Sequence, residues 1–403
     1  MKYSRREFIN GASGALAASA VVPRYAPADA DDPLGVRRDF PVVGEGVFLN
    51  SAYIAPVPLQ VVEAGRAFLE AKARRPISLG DMLAKTDEVR RQFAAFVNAD
   101  AEEIGFLYAT TEGENIIAAA LQLRPGENVV VDDLHYEATY VLYKHLEKTA
   151  GIQLRIARQR DGAVRVADFE ALVDQRTRLI SVAWVSHQNG FRHDMKALAD
   201  LAHARGAYLY SDAVQAVGMF PIDAKAAGVD FFAAGTYKWL LAGYGVAPFF
   251  VRRDLLDRIP ADRRGALQVE KDLGNHQYEI YKTARKFEWA TLAFEPLYQL
   301  GAGITYLTRI GPDKIARHAI ALAQEIRQGL ADLGFRLFTP TGNESSIVTF
   351  FFNRAVEDVR RVLDLEKIQV TLRPQEHQIR VSPALFNNRA EVHRFLNACS
   401  RFR

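Results

Sequence analysis

Short apolar segments alternate with helical segments through the middle of this 403-residue chain. The apolar segments are nearly continuous, which is typical of strands buried on both faces, and they lie at residues 128–131, 178–185, 207–210, 231–234 and 246–251. Residues 168–173 and 195–205 carry helical spacing. This alternation predicts an α/β fold with a mostly parallel, helix-covered sheet. Because such sheets bind ligands at the carboxyl ends of their strands, we expect Asp212 and the loops after Asp132 and Val185 at a ligand site.

The pattern changes near residue 300. The spacing predicts a long helix over 300–333 with a break near Gly311 and Pro312, followed by shorter strands and helices at 346–352, 356–363, 378–381 and 390–398. We therefore predict a large domain over 61–299 and a smaller α+β domain over 300–403. An N-terminal arm over 31–60 is expected to join them.

The N-terminus has the pattern of an export signal. Ser4 is followed by Arg5, Arg6 and Phe8, then by a short stretch of small and apolar residues and an A-x-A-like site at 28–30. Paired arginines in this context indicate a twin-arginine signal peptide over 1–30. The apolar stretch is too short to span a bilayer, so no permanent membrane anchor is expected. We predict a periplasmic protein that uses the twin-arginine export machinery, which carries folded and often cofactor-loaded proteins.

The composition argues against several classes of protein. Lys and Arg total 51 against 48 Asp and Glu, and no basic run is present, so no nucleic-acid footprint is predicted. The nine histidines and one cysteine show no metal-ligand spacing, and we predict no metal site. No G-x-G-x-x-G motif is present, which argues against a dinucleotide-dependent dehydrogenase.

Lys238 and Asp212 suggest a specific cofactor. Lys238 lies between aromatic and aliphatic residues, where burial disfavours its ammonium form and leaves a nucleophilic amine. Asp212 ends an apolar strand, where its carboxylate can hold a protonated ring nitrogen. Pyridoxal phosphate requires both groups: a lysine that binds it covalently and a carboxylate at the pyridinium. The alternative is an unrelated snorkelling lysine and a helix-capping aspartate.

A phosphate site is predicted at the start of a helix. Thr111 and Glu114 have the spacing of a capping box ahead of the apolar residues 116–121. A helix N-terminus beside a glycine, here Gly113, is a suitable site for a phosphate. The alternative is an ordinary capped helix.

These three elements occur in the order found in one enzyme family. The segments 109–115 and 237–241 resemble the class V aminotransferases, which are fold-type I pyridoxal-phosphate-dependent transferases, and the epimerase-like branch in particular. The resemblance extends from residues 48–51 to residues 380–383. It implies a large domain with a parallel sheet, a smaller C-terminal domain and a homodimer.

The resemblance also implies roles for single residues. Lys238 corresponds to the lysine that binds the cofactor and later moves the proton of the substrate α-carbon. Asp212 and Gln215 correspond to residues that contact the ring nitrogen and the phenolic oxygen. The remaining correspondences are Thr111, Glu112 and Tyr237 at the phosphate, Tyr136 stacked on the ring, Thr291 at the phosphate of the partner subunit, and Arg380 on a substrate carboxylate. For Tyr136, a place in the core is the alternative.

Two departures from the family bear on the reaction. His187 stands where relatives often carry asparagine or an apolar residue, so it is a candidate for contact with the cofactor ring or with the substrate. No cysteine precedes Arg380 in the region where desulfurases hold their sulfur nucleophile, and Cys399 is expected to be a packing residue. Cysteine desulfurase chemistry through a persulfide is therefore not expected.

The most direct interpretation is an aminotransferase that acts on an amino-acid-like substrate, a peptide or a siderophore precursor. Epimerisation and C–S or C–C lyase reactions begin with the same loss of a proton and remain alternatives. A protein of this fold that binds a ligand without catalysis is a further hypothesis from a different class.

Overall fold

The central sheet of the large domain is α/β and mostly parallel. The computed structural model describes residues 32–403, so the predicted export signal over 1–30 lies outside the described residues. Its strands are β2 (Ile104–Leu107), β3 (Asn128–Asp132), β4 (Gln153–Ala157), β5 (Thr177–Ala183), β6 (Tyr208–Asp212), β7 (Phe231–Ala233) and β8 (Ala247–Val251). The sheet has the order β2-β8-β7-β6-β5-β3-β4, in which β8 alone runs against its neighbours.

Helices cover both faces of this sheet, as the apolar strands require. The helices of this part of the chain are α1 (Leu59–Arg74), α2 (Leu79–Phe96), α3 (Thr110–Ala120), α4 (Glu137–Ala150), α5 (Val166–Glu170), α6 (Met195–Ala204), α7 (Ala224–Ala227) and α8 (Phe294–Ile310). Two hydrophobic clusters, one on each face of the sheet, contain alternate residues of the same strands, such as Val130 and Val129 of β3. The predicted mostly parallel, helix-covered sheet is therefore confirmed. The sequence reading missed β2 and β4.

The C-terminal part forms a second, smaller sheet. Strands β11 (Arg336–Leu337), β12 (Val348–Phe351), β14 (Thr371–Arg373) and β15 (Gln378–Val381) pair antiparallel in the order β11-β12-β15-β14. Helices α9 (Pro312–Asp332), α10 (Val356–Leu365) and α11 (Arg389–Ser400) belong to the same part of the chain. The N-terminal arm joins it, because β1 (Val47–Phe48) pairs in parallel with β13 (Ile368–Gln369).

The break predicted in the long helix is confirmed at Gly311. This residue has φ +99°, a conformation that favours glycine, and Pro312 then occupies the first turn of α9. Helix α8 begins at Phe294 and packs on α1 and α2, so its first turns lie with the large domain.

A protruding hairpin completes the secondary structure of the described chain. It consists of β9 (Val269–Gly274) and β10 (Gln277–Ile280), and nearly all of its residues are exposed. Short 3-10 helices lie at Arg37–Asp39, Pro41–Gly44, Ala101–Glu103, Arg253–Leu255, Ala266–Gln268 and Ala284–Phe287. Within residues 32–403, no helix combines the length and the apolar character needed to cross a membrane.

Candidate active site

A cavity of about 760 Å³ opens at the carboxyl ends of β5, β6 and β7. Its walls come from the central sheet, from the arm and from the β14–β15 hairpin of the small domain. The predicted site residues that line it are Thr111, Tyr136, His187, Asp212, Gln215, Tyr237, Lys238 and Arg380. The topology thus brings together side chains that are up to 269 positions apart, from Thr111 to Arg380.

Lys238 lies on the loop between β7 and β8, and its side-chain amine forms no hydrogen bond or ion pair with the described residues. Its ammonium lies 5.6 Å from the centre of the Tyr237 ring. Burial lowers the pKa of Lys238 to about 8; the charge of Asp212 opposes this shift and that of Arg380 adds to it. Near neutral pH the amine is therefore much closer to its nucleophilic form than an exposed lysine is.

The loop that carries Lys238 is held in a strained turn. Leu241 donates its backbone N–H to the carbonyl of Lys238 at 2.9 Å and has φ +58°, which is unusual for a buried leucine. The neighbouring Trp239 donates its indole N–H to Oε1 of Gln215 at 2.8 Å. Gly218 lies so close that a Cβ there would be 2.4 Å from the Trp239 carbonyl oxygen. These contacts fix the position of the lysine.

Asp212 faces the same cavity from the last position of β6. The side chain is buried, and its Oδ1 accepts the backbone N–H of Val214 at 3.0 Å. Burial raises the pKa of Asp212, while His135 and Lys238 oppose that shift. A cation placed against this carboxylate would stabilise its ionised form, which is what a protonated pyridine nitrogen provides.

The helix at the phosphate position starts differently from the prediction. Helix α3 begins at Thr110 with Ala109 as N-cap, and no side chain caps it. The predicted capping box is wrong, because Glu114 is buried and accepts hydrogen bonds from the hydroxyls of Thr139 and Ser181. The uncapped first turn, with Thr111 on the cavity wall, is open to an anion.

A buried polar network behind Asp212 was missed by sequence reasoning. Ser181 donates to Oε1 of Glu114 at 2.5 Å, and its hydroxyl lies 3.4 Å from Nε2 of His135. Nδ1 of His135 accepts the backbone N–H of Tyr136 at 2.7 Å, which places the ring proton on Nε2 when the imidazole is neutral. Two features of the sequence could have indicated this network. His135 directly precedes the predicted stacking residue Tyr136, and Glu114 is an acidic residue in an otherwise apolar helix.

Two predicted phosphate contacts lie outside the cavity of this chain. Glu112 forms an ion pair with Arg263 at 2.6 Å and accepts the backbone N–H of Tyr108 at 2.9 Å. Thr291 is exposed, and its carbonyl accepts the Tyr108 hydroxyl at 2.6 Å. The roles inferred for Glu112 and Thr291 stay predictions, and that of Thr291 depends on a second subunit.

Gln215 is held in place and still has a donor available. Its Nε2 donates to the carbonyl of Ala52 at 2.8 Å, and the amide group has a second N–H. Tyr237 stacks on Tyr244 with ring centres 4.5 Å apart and an interplanar angle of 18°. These contacts hold both side chains at the cavity wall.

Tyr136 and His187 form an aromatic pair at the mouth of the cavity. Their rings meet edge to face, with centres 5.3 Å apart and an angle of 79°. Tyr136 is 48% exposed, which rules out the alternative of a core tyrosine. Burial lowers the pKa of His187 to about 4, so the imidazole is neutral near pH 7, and its Nδ1 has no hydrogen-bond partner in the described structure.

Arg380 reaches the cavity from β15 of the small domain. Its guanidinium donates to the carbonyl of His187 at 2.6 Å and to the Thr371 hydroxyl at 3.1 Å, and its Nε has no partner in the described structure. Arg373 of β14, which the sequence reading did not single out, lies beside it and donates to the same carbonyl at 3.0 Å. The sequence feature that could have identified Arg373 is its position, seven residues before Arg380.

The residues present fit pyridoxal phosphate. Lys238 and Asp212 would hold its reactive carbon and its ring nitrogen, the first turn of α3 would hold the phosphate, and Tyr136 would lie against the ring. Arg380 is then left for a substrate carboxylate.

The charges around Lys238 predict opposite pKa changes in two variants of the cofactor-free protein. Asp212→Asn removes the carboxylate that favours the ammonium form, so the pKa of Lys238 should fall below about 8. Arg380→Gln removes a repelling charge and should raise that pKa. The pH dependence of Lys238 labelling by an amine reagent, read by peptide mass spectrometry, measures both. Changes of the same sign would contradict this account of the site.

Comparisons with known proteins agree with a pyridoxal-phosphate site in this cavity. A family model described as aminotransferase class V matches residues 47–395. A protein of Methanothermobacter thermautotrophicus described as a probable cysteine desulfurase is 30% identical over 350 residues, which cover 85% of this chain and 87% of that protein. An uncharacterized aminotransferase of Bacillus subtilis is 27% identical over 362 residues, which cover 89% of this chain and 95% of that protein.

Two solved structures share the fold. The apo cysteine desulfurase of Thermococcus onnurineus has a TM-score of 0.84 at 24% identity and covers 93% of this chain and 99% of its own. A cystine C–S lyase, solved with its product cysteine persulfide, has a TM-score of 0.84 at 17% identity over 90% of this chain and 99% of its own. With the family model and the cavity around Lys238, these findings show that the chain belongs to the class V aminotransferase family and is a pyridoxal-phosphate-dependent enzyme of fold-type I.

Proposed function

We propose that this enzyme is an aminotransferase acting on a small amino-acid-like substrate, with a peptide or siderophore precursor as the broader expectation. The observation that carries the proposal is the half-buried amine of Lys238, which forms no ion pair, in a cavity that also holds Asp212 and Arg380. This arrangement provides a cofactor lysine, a ring anchor and a carboxylate receptor in one place.

The chain's own residues account for the steps of this reaction. Arg380 binds the substrate carboxylate and so orients the α-carbon toward Lys238. Bound pyridoxal phosphate supplies an electron sink for the negative charge that develops at that carbon. Asp212 would keep the ring nitrogen protonated, and the free amine of Lys238 would remove the α-proton and deliver it on the same face to the cofactor carbon that accepts it in a transamination, so that the substrate leaves as a keto product. Neutral His187 and Tyr136 shield the mouth of the cavity from water.

Transamination requires the fewest groups among the possible outcomes. Lys238 can move the proton alone, whereas epimerisation needs a second proton donor on the opposite face. Epimerisation, which would need that second donor, is the alternative.

A C–S lyase is the second candidate function. The relatives named above include cysteine desulfurases and a cystine C–S lyase. The one cysteine of this chain, Cys399, is buried in helix α11 within the core of the small domain and does not line the cavity. A desulfurase reaction that passes sulfur to a cysteine of this chain therefore has no acceptor at the site, and a lyase would release the sulfur product directly.

A homodimer is part of the proposal. Large aromatic side chains are exposed beside the cavity, including Tyr53 and Tyr244, each 57% exposed, and the β9–β10 hairpin extends into solvent. A second copy would cover such a surface and allow Thr291 to reach the partner's phosphate. Light scattering should give the mass of two chains for the cofactor-loaded protein; a monomer that retains the cofactor tightly would contradict this role of Thr291.

Transamination can be tested with a panel of amino donors. The visible absorption band of the purified protein should convert to that of the amine form of the cofactor when a true donor is added. In Lys238→Ala we expect the rate of this conversion to fall by about 10²–10⁴-fold, because the general base is lost. Lys225→Ala, a change at an exposed lysine, is the control and should convert normally. A persistent band with release of sulfide or a racemised substrate would instead support the lyase or the epimerase.

We further propose that the twin-arginine signal over 1–30 exports the enzyme to the periplasm with its cofactor bound. Its support is the Arg5-Arg6 pair in its sequence context and the need of this fold for a cofactor. Fractionation of cells that express the full chain should find the protein in the periplasm. The double variant Arg5→Lys with Arg6→Lys should retain it in the cytoplasm, and unchanged export would contradict the assignment.

A further inference from the structure

Two guanidinium groups, those of Arg373 and Arg380, meet in the wall of the active-site cavity. Both donate to the carbonyl oxygen of His187, at 3.0 and 2.6 Å, so the groups are immediate neighbours. Arg373 also donates to the carbonyl of Gln188 at 3.2 Å. The contacts are to neutral oxygen atoms, which orient the two side chains without neutralising them.

Within the described residues, no carboxylate lies within 4.0 Å of either guanidinium, although Glu376 and Glu137 act electrostatically on Arg373 from a greater distance. The Nε of Arg380, a residue that is only 4% exposed, has no hydrogen-bond partner in the described structure. Glu137 and Glu376 line the same cavity, but both side chains extend into solvent, and Glu137 lies 3.7 Å from His187. Asp212 acts electrostatically on Lys238 and, by the proposed function, would hold the cofactor ring. Burial and the adjacent Arg373 lower the pKa of Arg380 to about 9, as expected for a site that lacks an anion.

The two arginines lie at different depths. Arg380 acts electrostatically on Lys238, which places it near the reacting end of the cavity, and it is buried. Arg373 is partly exposed and lies nearer the mouth, where its neighbours include Gln188 and Gln378. The β14–β15 hairpin fixes their spacing, because Thr371 pairs with Arg380 and Arg373 pairs with Gln378 in register.

We propose that the substrate is an amino acid with a second carboxylate, which Arg373 binds while Arg380 holds the carboxylate next to the reacting amine. This inference rests on the proposed function and defines the class of its substrate. A guanidinium binds a carboxylate through two parallel hydrogen bonds, so two adjacent guanidiniums match two carboxylates joined by a short chain. A substrate with one carboxylate would leave the charge of Arg373 without a carboxylate in direct contact.

Two unreactive acids of equal length test this inference on the cofactor-loaded protein. Glutarate has five carbons and two carboxylates, whereas pentanoate has five carbons and one. By titration calorimetry we expect glutarate to bind at least tenfold more tightly than pentanoate, since each charge-assisted pair adds of the order of one factor of ten. This comparison uses the wild-type protein and does not depend on any variant.

Variants of the two arginines test which side chain is responsible for the preference for glutarate over pentanoate. Arg373→Gln should weaken glutarate binding about tenfold and leave pentanoate binding within about twofold, whereas Arg380→Gln should weaken the binding of both acids. Arg373→Lys keeps the positive charge but cannot form two parallel hydrogen bonds to one carboxylate, so it should retain part of the preference for glutarate. Arg354→Gln removes an exposed arginine outside the cavity and should change neither affinity.

Three results would overturn the inference: no preference for glutarate in the wild type, a preference that survives Arg373→Gln, or an equal loss of both acids in Arg373→Gln. The last result would show that Arg373 only supports the His187 loop.

The visible band of the bound cofactor and its conversion by amino donors, recorded on the same samples, separate the substrate class from the proposed function. If the band and the conversion persist without a glutarate preference, only the substrate class is wrong. If the wild type fails to convert with every donor, the proposed function is wrong.

Discussion

The burial of one lysine without a partner is the constraint on which this active site depends. An ammonium in the interior costs several kcal/mol unless it is paired or loses its proton, and among the described residues the charge of Lys238 is stabilised by the field of Asp212 and the face of the Tyr237 ring, without an ion pair. The strained turn at Leu241 and the indole contact to Gln215 keep the lysine in that position. The fold therefore maintains an amine that is ready to react and a carboxylate that is ready for a cation.

Much of the fold follows from local sequence patterns. Apolar strands bounded by polar turns, such as Asn128–Asp132, were predicted to within one or two residues, because burial on both faces leaves a continuous apolar signal. The break at Gly311 and Pro312 was predictable because each residue has a specific conformational preference. Strand β4 was missed because its exposed and half-buried residues interrupt the apolar signal.

The site itself was only partly predictable. Lys238 and Asp212 could be proposed because chemistry and spacing agree for both residues. The burial of Glu114 was not predictable from its capping-box spacing, because its partners Thr139 and Ser181 come from other elements. The pairing of Glu112 with Arg263 and the approach of Arg373 to Arg380 depend on tertiary packing in the same way. Sequence spacing identifies candidate residues, whereas the direction of each side chain is set by contacts distant in the chain.

The most direct test of this account is the identity of the residue that binds the cofactor. The holoprotein is reduced with borohydride, digested, and its peptides are analysed by mass spectrometry. The account predicts that the added mass of reduced pyridoxal phosphate is found on Lys238 and that the buried Lys286, which lies outside the cavity, is unmodified. Modification of another lysine, or none in protein that carries the cofactor, would contradict the assignment of Lys238 and the mechanism built on it.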